Sequence, residues 1–375
     1  MSTNFGQIGF TEEQIEMLTV AESFCRDKSP IETVRKHIES DLGYDADIWA
    51  EMGALGWLAI AIPEGYEGVG LSMTEVVPVC EQLGRRMMAT PFQTTTLAAQ
   101  ALIAGGTDTQ KSEILPKIAA GTAATLALTE DNGDWDLANI NAAATSDGKD
   151  GYILSGTKTF VIHLASAQWV IVSVMIEGEA RLVIVPKSDV PEDNIRRENI
   201  IDETQRSFEL VLDGIHVEDS QVMTLETTPS TLKYIELCAN LIAAGDITGA
   251  CQSTIDYIVE YLGTRKQFGK LIGSFQALKH PTVDAFVDYQ KSRSLLYSAA
   301  FSFAKQGEGE IAARMAKVQS IEALSFAADR AIQFHGGFGF TYDCDAQLYR
   351  RRALFQASQF GDASYHKKKL ADLLL

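Results

Sequence analysis

Two short stretches near the C-terminus combine residue types that suit the binding of a phosphorylated ligand. Residues 265–270 begin with Arg265, followed by a lysine, a phenylalanine and a glycine, and residues 333–342 contain the adjacent glycines Gly336 and Gly337. A planar guanidinium grips a diphosphate through paired hydrogen bonds, and adjacent glycines let a ligand approach the backbone closely. A cation at a helix C-terminus and an interhelix turn have the same composition, so the residues alone leave both interpretations open.

Other kinds of site are disfavoured. The six histidines show no metal-ligand spacing, and the five cysteines form no CxxC pair, so we predict no metal site and no disulfide framework. Such cysteines are typical of buried thiols in a reducing compartment. The glycines at 65, 68 and 70 do not form a dinucleotide fingerprint after a strand and are interpreted as a loop.

Composition limits the class of protein further. The chain has 375 residues and a net charge of −18, from 50 acidic and 32 basic residues, and 46% of its residues are hydrophobic. This length allows two or three domains with a large core. The negative charge argues against nucleic acid or an anionic membrane as a partner. Neither a secretory signal nor a membrane span is recognisable, so a cytoplasmic location is predicted.

The pattern along the chain predicts three domains. Residues 1–121 read as helical, starting with a capping box at 11–14, residues 122–228 as short β-strands separated by turns, and residues 229–375 as helical again. Long helices are expected at about 231–264, 274–305, 309–335 and 343–374, and small residues in the first of them would permit close helix packing. The order contains no alternation of strands and helices, which argues against a Rossmann domain.

Ordered motifs over nearly the whole length resemble the acyl-CoA dehydrogenase family. The N-terminal matches are residues 49–57, 63–72, 81–85, Pro91 and 114–116, and the middle matches are 128–130 and 154–158. The most specific matches are Arg265-x-x-Phe268-Gly269, Phe275-Gln276 and Gln333-x-x-Gly336-Gly337-x-Gly339. The resemblance implies an α+β multidomain fold, with an N-terminal helical domain, a middle antiparallel β-barrel domain and a C-terminal four-helix bundle.

The resemblance also implies an activity, the α,β-desaturation of an acyl-CoA thioester with FAD as the cofactor. In this family a carboxylate removes the α-proton while a hydride leaves the β-carbon for the flavin. The bundle motifs lie near the pyrophosphate and adenosine of a neighbouring subunit's FAD. The residues expected to serve that FAD are Arg265, Phe268, Gln276, Gln333, Gly336 and Gly337.

The catalytic base of the family is not recognisable in this chain. Counting from Arg350 places Gln359 at the position of the usual glutamate, and alignment on the aromatic–glycine pair places Gly361 near it. A neutral amide is not a general base at pH 7. Some members carry the base on the long bundle helix, where this chain has Ala239, and Glu236, one turn away, is interpreted as solvated or structural. We therefore assign no catalytic residue.

The β domain departs from the family as well. The flavin-ring triplet Trp-Ile-Thr/Ser is replaced by Phe160-Val161-Ile162, which removes a hydroxyl. The loop expected to receive the pyrophosphate is acidic at residues 131–136, which disfavours a dinucleotide diphosphate. The chain thus keeps the residues that serve a partner's flavin and loses those that serve its own.

Three hypotheses follow for the function. The first is a non-catalytic subunit, similar to that of the α2β2 acyl-CoA dehydrogenases of bacterial steroid degradation. Its partners would be a homologous catalytic subunit, an acyl-CoA bound on that subunit, and electron-transfer flavoprotein or a similar acceptor. The second is a self-sufficient homotetramer that uses Asp362 as the base, although Asp362 also suits a helix N-cap after Gly361. The third is a non-enzymatic binding relative.

Overall fold

The computed structural model describes residues 11–224, 227–303 and 309–375. Within these ranges the chain divides into two compact units. The helical unit comprises the described parts of Met1–Lys36, Met73–Met88 and Asn240–Leu375, and the β unit comprises His37–Ser72 and Ala89–Ala239. The start of the predicted N-terminal domain and the predicted helix end at residue 305 lie outside the described residues. The division into three sequence domains stays a prediction.

The helices lie close to the positions that the sequence pattern predicts. Thr11 and Gln14 form the expected capping box, in which the Thr11 hydroxyl accepts from the Gln14 N–H and the Gln14 side chain accepts from the Thr11 N–H. The helices are α1 Glu12–Lys28, α2 Ile31–Ile38, α3 Ala46–Ala54, α4 Met73–Arg85, α5 Phe92–Gly105, α6 Asp108–Ala119, α7 Thr228–Thr264, α8 Gln276–Phe303, α9 Glu310–Phe334, α10 Ala346–Ser358 and α11 Ala363–Leu374.

Glycines allow α4 and α7 to approach each other closely in the helical unit. A Cβ atom on Gly249 would lie 1.9 Å from the carbonyl oxygen of Glu81, and one on Gly84 would lie 2.0 Å from that of Asp246. No side chain fits at these distances, so both positions require glycine. The prediction that small residues of the long helix permit close packing is confirmed.

The last predicted bundle helix, at about 343–374, is in fact two helices, so that prediction was wrong. α10 ends at Ser358 and α11 begins at Ala363. Between them Phe360 and Gly361 adopt left-handed backbone angles, with φ of +53° and +105°. An α-helix does not pass through two such residues, so the chain reverses at the position where the family carries its usual base.

The β unit contains two sheets around one core. The strands of this unit are β1 Ala124–Ala127, β2 Ala143–Ser146, β3 Gly151–Ser155, β4 Thr157–Ile162, β5 Trp169–Ile176, β6 Glu179–Pro186, β7 Ile195–Glu198, β8 Ser207–Val211 and β9 His216–Glu218. Six strands form one sheet in the order β1-β5-β2-β3-β9, with β6 on β5, and β4-β8-β7 form the other. Both sheets contribute apolar side chains to the core, among them Leu154, Val172 and Leu210.

Most strand pairings are antiparallel, as predicted, but two are parallel. β1 pairs with β5 in parallel, with Ala124 opposite Trp169, and β2 pairs with β5 in parallel, with Ala143 opposite Met175. The prediction of a purely antiparallel domain is corrected at these two pairings. The sequence pattern indicated strands at 125–129, 152–154, 159–162, 169–174, 181–185 and 208–212. It missed β2, β7 and β9, because these strands are short and are rich in small, charged or polar residues rather than in branched ones.

All five cysteines are free and buried, so the prediction that these thiols are buried is confirmed. In the part of the chain that the structure describes, no helix is both long enough and apolar enough to cross a bilayer.

Candidate functional site

The C-terminal end of α7 leads directly into a tight hairpin. The Arg265 N–H donates to Tyr261 O at 2.9 Å, and the Ile272 N–H donates to Arg265 O at 2.9 Å, so the hairpin stem closes on Arg265. β10 Lys266–Gln267 pairs with β11 Lys270–Leu271. The two turn residues, Phe268 and Gly269, have φ of +51° and +74°, which is the geometry of a type I′ turn. The sequence predicted a helix end before Arg265, and this is confirmed.

Phe268 occupies an unfavourable position at the tip of this hairpin. Its side chain is 90% exposed, and its backbone is left-handed, a conformation that bulky side chains rarely adopt. Among the described residues, the ring makes an edge-to-face contact with Phe275, with the ring centroids 6.3 Å apart. Phe268 therefore combines an exposed aromatic ring with a backbone conformation that costs energy.

The C-terminal end of α9 is held against α7 by an aromatic stack. His335 is buried and stacks on Tyr257 and Tyr261, with ring centroids 4.6 and 4.0 Å apart. Its Nδ1 lies 2.7 Å from the carbonyl oxygen of Ala331. Burial lowers the pKa of His335, and this favours the neutral ring in which Nδ1 donates to that carbonyl. The stack fixes the glycine turn that follows α9.

A shared apolar cluster brings the two predicted motif groups together. Ile258 and Leu262 of α7 and Ile272 after the hairpin pack with Phe334 of α9, and Phe275 borders the same cluster. The hairpin and the glycine turn are therefore parts of one surface of the helical unit, which we call the clamp surface. It comprises residues 265–276 and 333–342.

Every predicted cofactor-binding residue is exposed on the clamp surface. Arg265 and Phe268 lie on the hairpin, Gln276 is the first residue of α8, Gln333 lies in the last turn of α9, and the remaining two predicted residues, both glycines, lie in the 3-10 turn Gly336–Phe338. The surface is also positive, because no acidic residue occurs between positions 265 and 283 although the chain carries a net charge of −18.

The two adjacent glycines leave open space above the backbone. A Cβ atom added to Gly336 or Gly337 would meet nothing within 4 Å, and Gly336 has a φ of +61° that favours glycine. Gly339 differs, because its Cβ would lie 2.1 Å from the carbonyl oxygen of Ile332. Gly339 is therefore required by packing, whereas the space above Gly337 is available to a ligand.

Alanine substitutions should separate these two roles. Gly337→Ala should change the free energy of unfolding by less than about 0.5 kcal/mol, whereas Gly339→Ala should destabilise the chain by about 1–3 kcal/mol. Urea denaturation of the two variants beside the unmodified chain measures both values. Equal destabilisation by the two substitutions would contradict the assignment of open space above Gly337.

The structure places no free carboxylate at the predicted base positions. Gln359 follows the last residue of α10, and the Asp362 carboxylate accepts a hydrogen bond from the Tyr365 N–H at 2.7 Å as the N-cap of α11. Ala239 is buried in α7. Glu236 is also buried, so a solvated role for it is excluded. The capping role weighed for Asp362 is confirmed.

A buried ionic network that sequence reasoning missed lies inside the bundle. Arg352 donates to both oxygens of Asp246, at 3.0 and 3.1 Å, and Gln356 donates to the same carboxylate at 3.0 Å. Lys317 donates to the carbonyl oxygen of Gln356 at 2.8 Å. Asp246, Arg352 and Lys317 are all fully buried, so the network ties α7, α9 and α10 together just before the α10–α11 reversal.

Lys317 gives this network a pH dependence. Burial lowers the pKa of Lys317 to about 7, against a smaller opposing effect of the Asp246 charge. Between pH 7 and about 10.4, the usual lysine pKa, the unfolded chain therefore binds more protons at this site than the folded chain. The free energy of unfolding should rise through this window by up to about 1.4 kcal/mol per pH unit from this group.

The Lys317→Met variant should lose this rise. The measurement is the difference in unfolding free energy between the unmodified chain and the variant at several pH values from 7 to 9, where other titrating groups cancel. The difference should move in favour of the unmodified chain as the pH increases. A difference that stays constant with pH would show that Lys317 keeps an ordinary pKa.

Comparison with known proteins establishes the family of this chain. Residues 11–122 match the model of the acyl-CoA dehydrogenase N-terminal domain, and residues 241–375 match that of the C-terminal domain. The chain belongs to the acyl-CoA dehydrogenase family, whose members are FAD-dependent oxidoreductases. Their shared fold consists of an N-terminal helical domain, a middle β domain and a C-terminal helical domain.

Three relatives show which individual members of the family this chain resembles. Acyl-CoA dehydrogenase IpdE2 of Mycolicibacterium smegmatis is 30% identical over 361 residues, which cover 96% of this chain and 98% of the relative. A solved structure described as the Tcur3481-Tcur3483 steroid ACAD G363A variant is 27% identical, with a TM-score of 0.86 over 97% of this chain and 98% of the other. Butyryl-CoA dehydrogenase from Megasphaera elsdenii, at 22% identity and a TM-score of 0.88 with full coverage of both chains, shares the fold.

Proposed function

We propose that this chain is the non-catalytic subunit of a heteromeric acyl-CoA dehydrogenase and completes the FAD site of a homologous catalytic subunit. The observation that carries the proposal is a contrast within the helical unit, between the clamp surface and the α10–α11 reversal. The clamp surface presents Arg265, Phe268 and open glycines to the outside, whereas the α10–α11 reversal offers Gln359 and a capping Asp362 instead of a base. This contrast supports a chain that helps to hold a flavin, since the described positions at which a base was expected offer no carboxylate for proton abstraction.

The residues of the clamp surface suit a dinucleotide. Arg265 would pair with the diphosphate through charge-assisted hydrogen bonds, and Phe268 would pack against the apolar part of the ligand. Gln276 and Gln333 would supply neutral hydrogen-bonding groups, and the backbone at Gly336 and Gly337 would accept close packing of the adenosine half. FAD, when bound, supplies the redox chemistry, and this chain contributes binding and orientation.

The partners follow from the family. A homologous subunit with an intact glutamate would bind the acyl-CoA thioester and desaturate it, and electron-transfer flavoprotein or a similar carrier would take the electrons. The steroid description of the Tcur3481-Tcur3483 relative supports a steroid acyl-CoA as the substrate class. Another solved relative is described as the ChsE4-ChsE5 complex from Mycobacterium tuberculosis, and a two-chain assembly in the cytoplasm is proposed here as well.

The test is to express the chain alone and with the homologous catalytic chain. Alone, it should contain no stoichiometric FAD and should not turn over an acyl-CoA, whereas the co-expressed pair should be yellow and active. Stoichiometric FAD with turnover by the lone chain would refute the proposal. Failure to associate with any flavoprotein homologue would favour a non-enzymatic relative instead.

Asp362 decides between this proposal and the self-sufficient enzyme. In Asp362→Asn, the side-chain oxygen still accepts from the Tyr365 N–H, so the turnover of the pair should stay within about twofold of the unmodified value. If Asp362 is the base, the same variant abolishes turnover while flavin stays bound. Asp362→Ala is the matched structural control, because it removes the cap and should cost about 1 kcal/mol of stability.

A further inference from the structure

The triplet Phe160-Val161-Ile162, which stands where the family contacts the flavin ring, is hydrogen-bonded to the Glu198 carboxylate of the same unit. The pairing of β4 with β8 is irregular between Lys158 and Val161, and Phe160 lies in this irregularity with a φ of +53° and a side chain that is 43% exposed. Its backbone N–H donates to Glu198 Oε2 at 3.0 Å, and the Ser207 hydroxyl donates to the same oxygen at 2.6 Å. The N–H that the irregularity turns away from β8 is thus already satisfied.

The hydroxyl lost from this triplet is not replaced. Ile162 has no side-chain hydroxyl, and its carbonyl oxygen accepts from the Thr125 hydroxyl at 2.7 Å. Val161 is fully buried in the core of the unit. In the triplet, the hydroxyl that a flavin ring would contact is therefore absent, and the Phe160 N–H and the Ile162 carbonyl are engaged within the chain.

The acidic loop at residues 131–136 shows the same arrangement. The Asp134 N–H donates to Asn132 Oδ1 at 3.0 Å, the Asp136 N–H to Asp134 Oδ1 at 2.9 Å, and the Ala138 N–H to Asp136 Oδ1 at 3.2 Å. The backbone N–H groups of a loop can serve as donors to a diphosphate. Here each of the three is taken by a side-chain oxygen two residues earlier, and two of these oxygens belong to carboxylates.

A bound diphosphate would have to displace these oxygens while lying beside their negative charges. Glu130, just before the loop, is a further carboxylate and does not offset the negative charge of the loop. It forms an ion pair with the buried Lys158, whose Nζ lies 2.7 Å from Glu130 Oε1. Burial alone would raise the pKa of Glu130, but hydrogen bonds from Lys158 and the Ala142 N–H lower it overall, so the carboxylate is ionised at neutral pH. The residues of this unit do not fit a dinucleotide.

We propose that the β unit excludes a flavin of its own because Glu198, Asp134 and Asp136 occupy the backbone N–H groups that the cofactor would need. By excluding a flavin from the β unit, these residues restrict the chain to contact with a flavin that the partner subunit holds. The inference rests on the proposed function, since it explains why one flavin would serve two chains. It adds that exclusion comes from hydrogen-bond occupancy and not from charge alone.

The test compares two triple variants of the lone chain by calorimetric titration with FAD. The open variant carries Glu198→Ala, Asp134→Ala and Asp136→Ala, which frees the N–H groups. The matched variant carries Glu198→Gln, Asp134→Asn and Asp136→Asn, which removes the same charges but keeps an oxygen on each N–H. The open variant should bind FAD at least about tenfold more tightly than the matched variant, as expected for several regained hydrogen bonds.

Equal affinity of the two variants would overturn the proposal, whether both bind weakly or both bind tightly. Circular dichroism shows whether the open variant folds, and Asp134→Ala/Asp136→Ala against Asp134→Asn/Asp136→Asn repeats the comparison within the loop alone if it does not. The clamp surface is unchanged in every variant, so the flavin content of the pair tests the proposed function separately.

Discussion

Arg265→Ala, introduced only into this chain, should weaken FAD binding by its complex with the unmodified catalytic subunit. The expected loss is roughly 10- to 100-fold in FAD affinity, because charge-assisted hydrogen bonds contribute about 1.5–3 kcal/mol each. Arg265 is exposed at the base of the hairpin, so the substitution leaves the fold of the helical unit intact. Flavin absorbance retained after gel filtration measures the effect, and dialysis against FAD gives the affinity.

Two further variants on the same hairpin separate charge from geometry. Lys266→Ala removes an equal charge from the neighbouring exposed position and should change the affinity by less than about threefold, since exposed charges are screened. Arg265→Lys keeps the charge but loses the paired donors, and should recover only part of the affinity. If Lys266→Ala weakens FAD binding as much as Arg265→Ala does, and Arg265→Lys retains the full affinity, the guanidinium has no specific role and the clamp surface acts only through its net charge.

Asp246→Asn should cause the largest loss of stability. The substitution removes the ion pair between Asp246 and the buried guanidinium of Arg352, and it removes the Asp246 charge that acts on Lys317. Breaking a fully buried ion pair from one side costs about 3–5 kcal/mol, since the remaining charge stays desolvated. The measurement is the free energy of unfolding from urea denaturation.

Glu322→Gln is the matched control for this prediction. It breaks the ion pair with Lys367, whose two side chains are both exposed, and should cost less than about 1 kcal/mol. A cost for Asp246→Asn similar to that of the control would show that the bundle relaxes around Arg352 and that the network does not hold the helices together.

Local signals made much of the fold predictable from the sequence. The capping box at Thr11, the end of α7 before Arg265 and the glycine turn after α9 each depend on residues adjacent in the chain. The close packing of α7 was also predictable, because a residue without a side chain, such as Gly249, lets a neighbouring helix approach the backbone closely. Exposure of the clamp residues followed from the family motif and needed no knowledge of distant contacts.

Contacts between distant residues were not predictable in this way. His335 looked like a lone histidine, yet its stack on Tyr257 and Tyr261 joins helices that are far apart in sequence. The Asp246–Arg352 pair spans more than one hundred positions and leaves no local pattern. The α10–α11 reversal was missed because Phe360, a residue that rarely adopts a left-handed conformation, precedes Gly361.

The flavin-to-polypeptide ratio of the purified pair tests the central claim most directly. Flavin released from the denatured complex is quantified against the amount of each chain, determined by amino-acid analysis of the separated subunits. One FAD per two chains, with none in this chain when purified alone, is the predicted result. One FAD per chain would contradict the account, because this chain would then hold a flavin of its own.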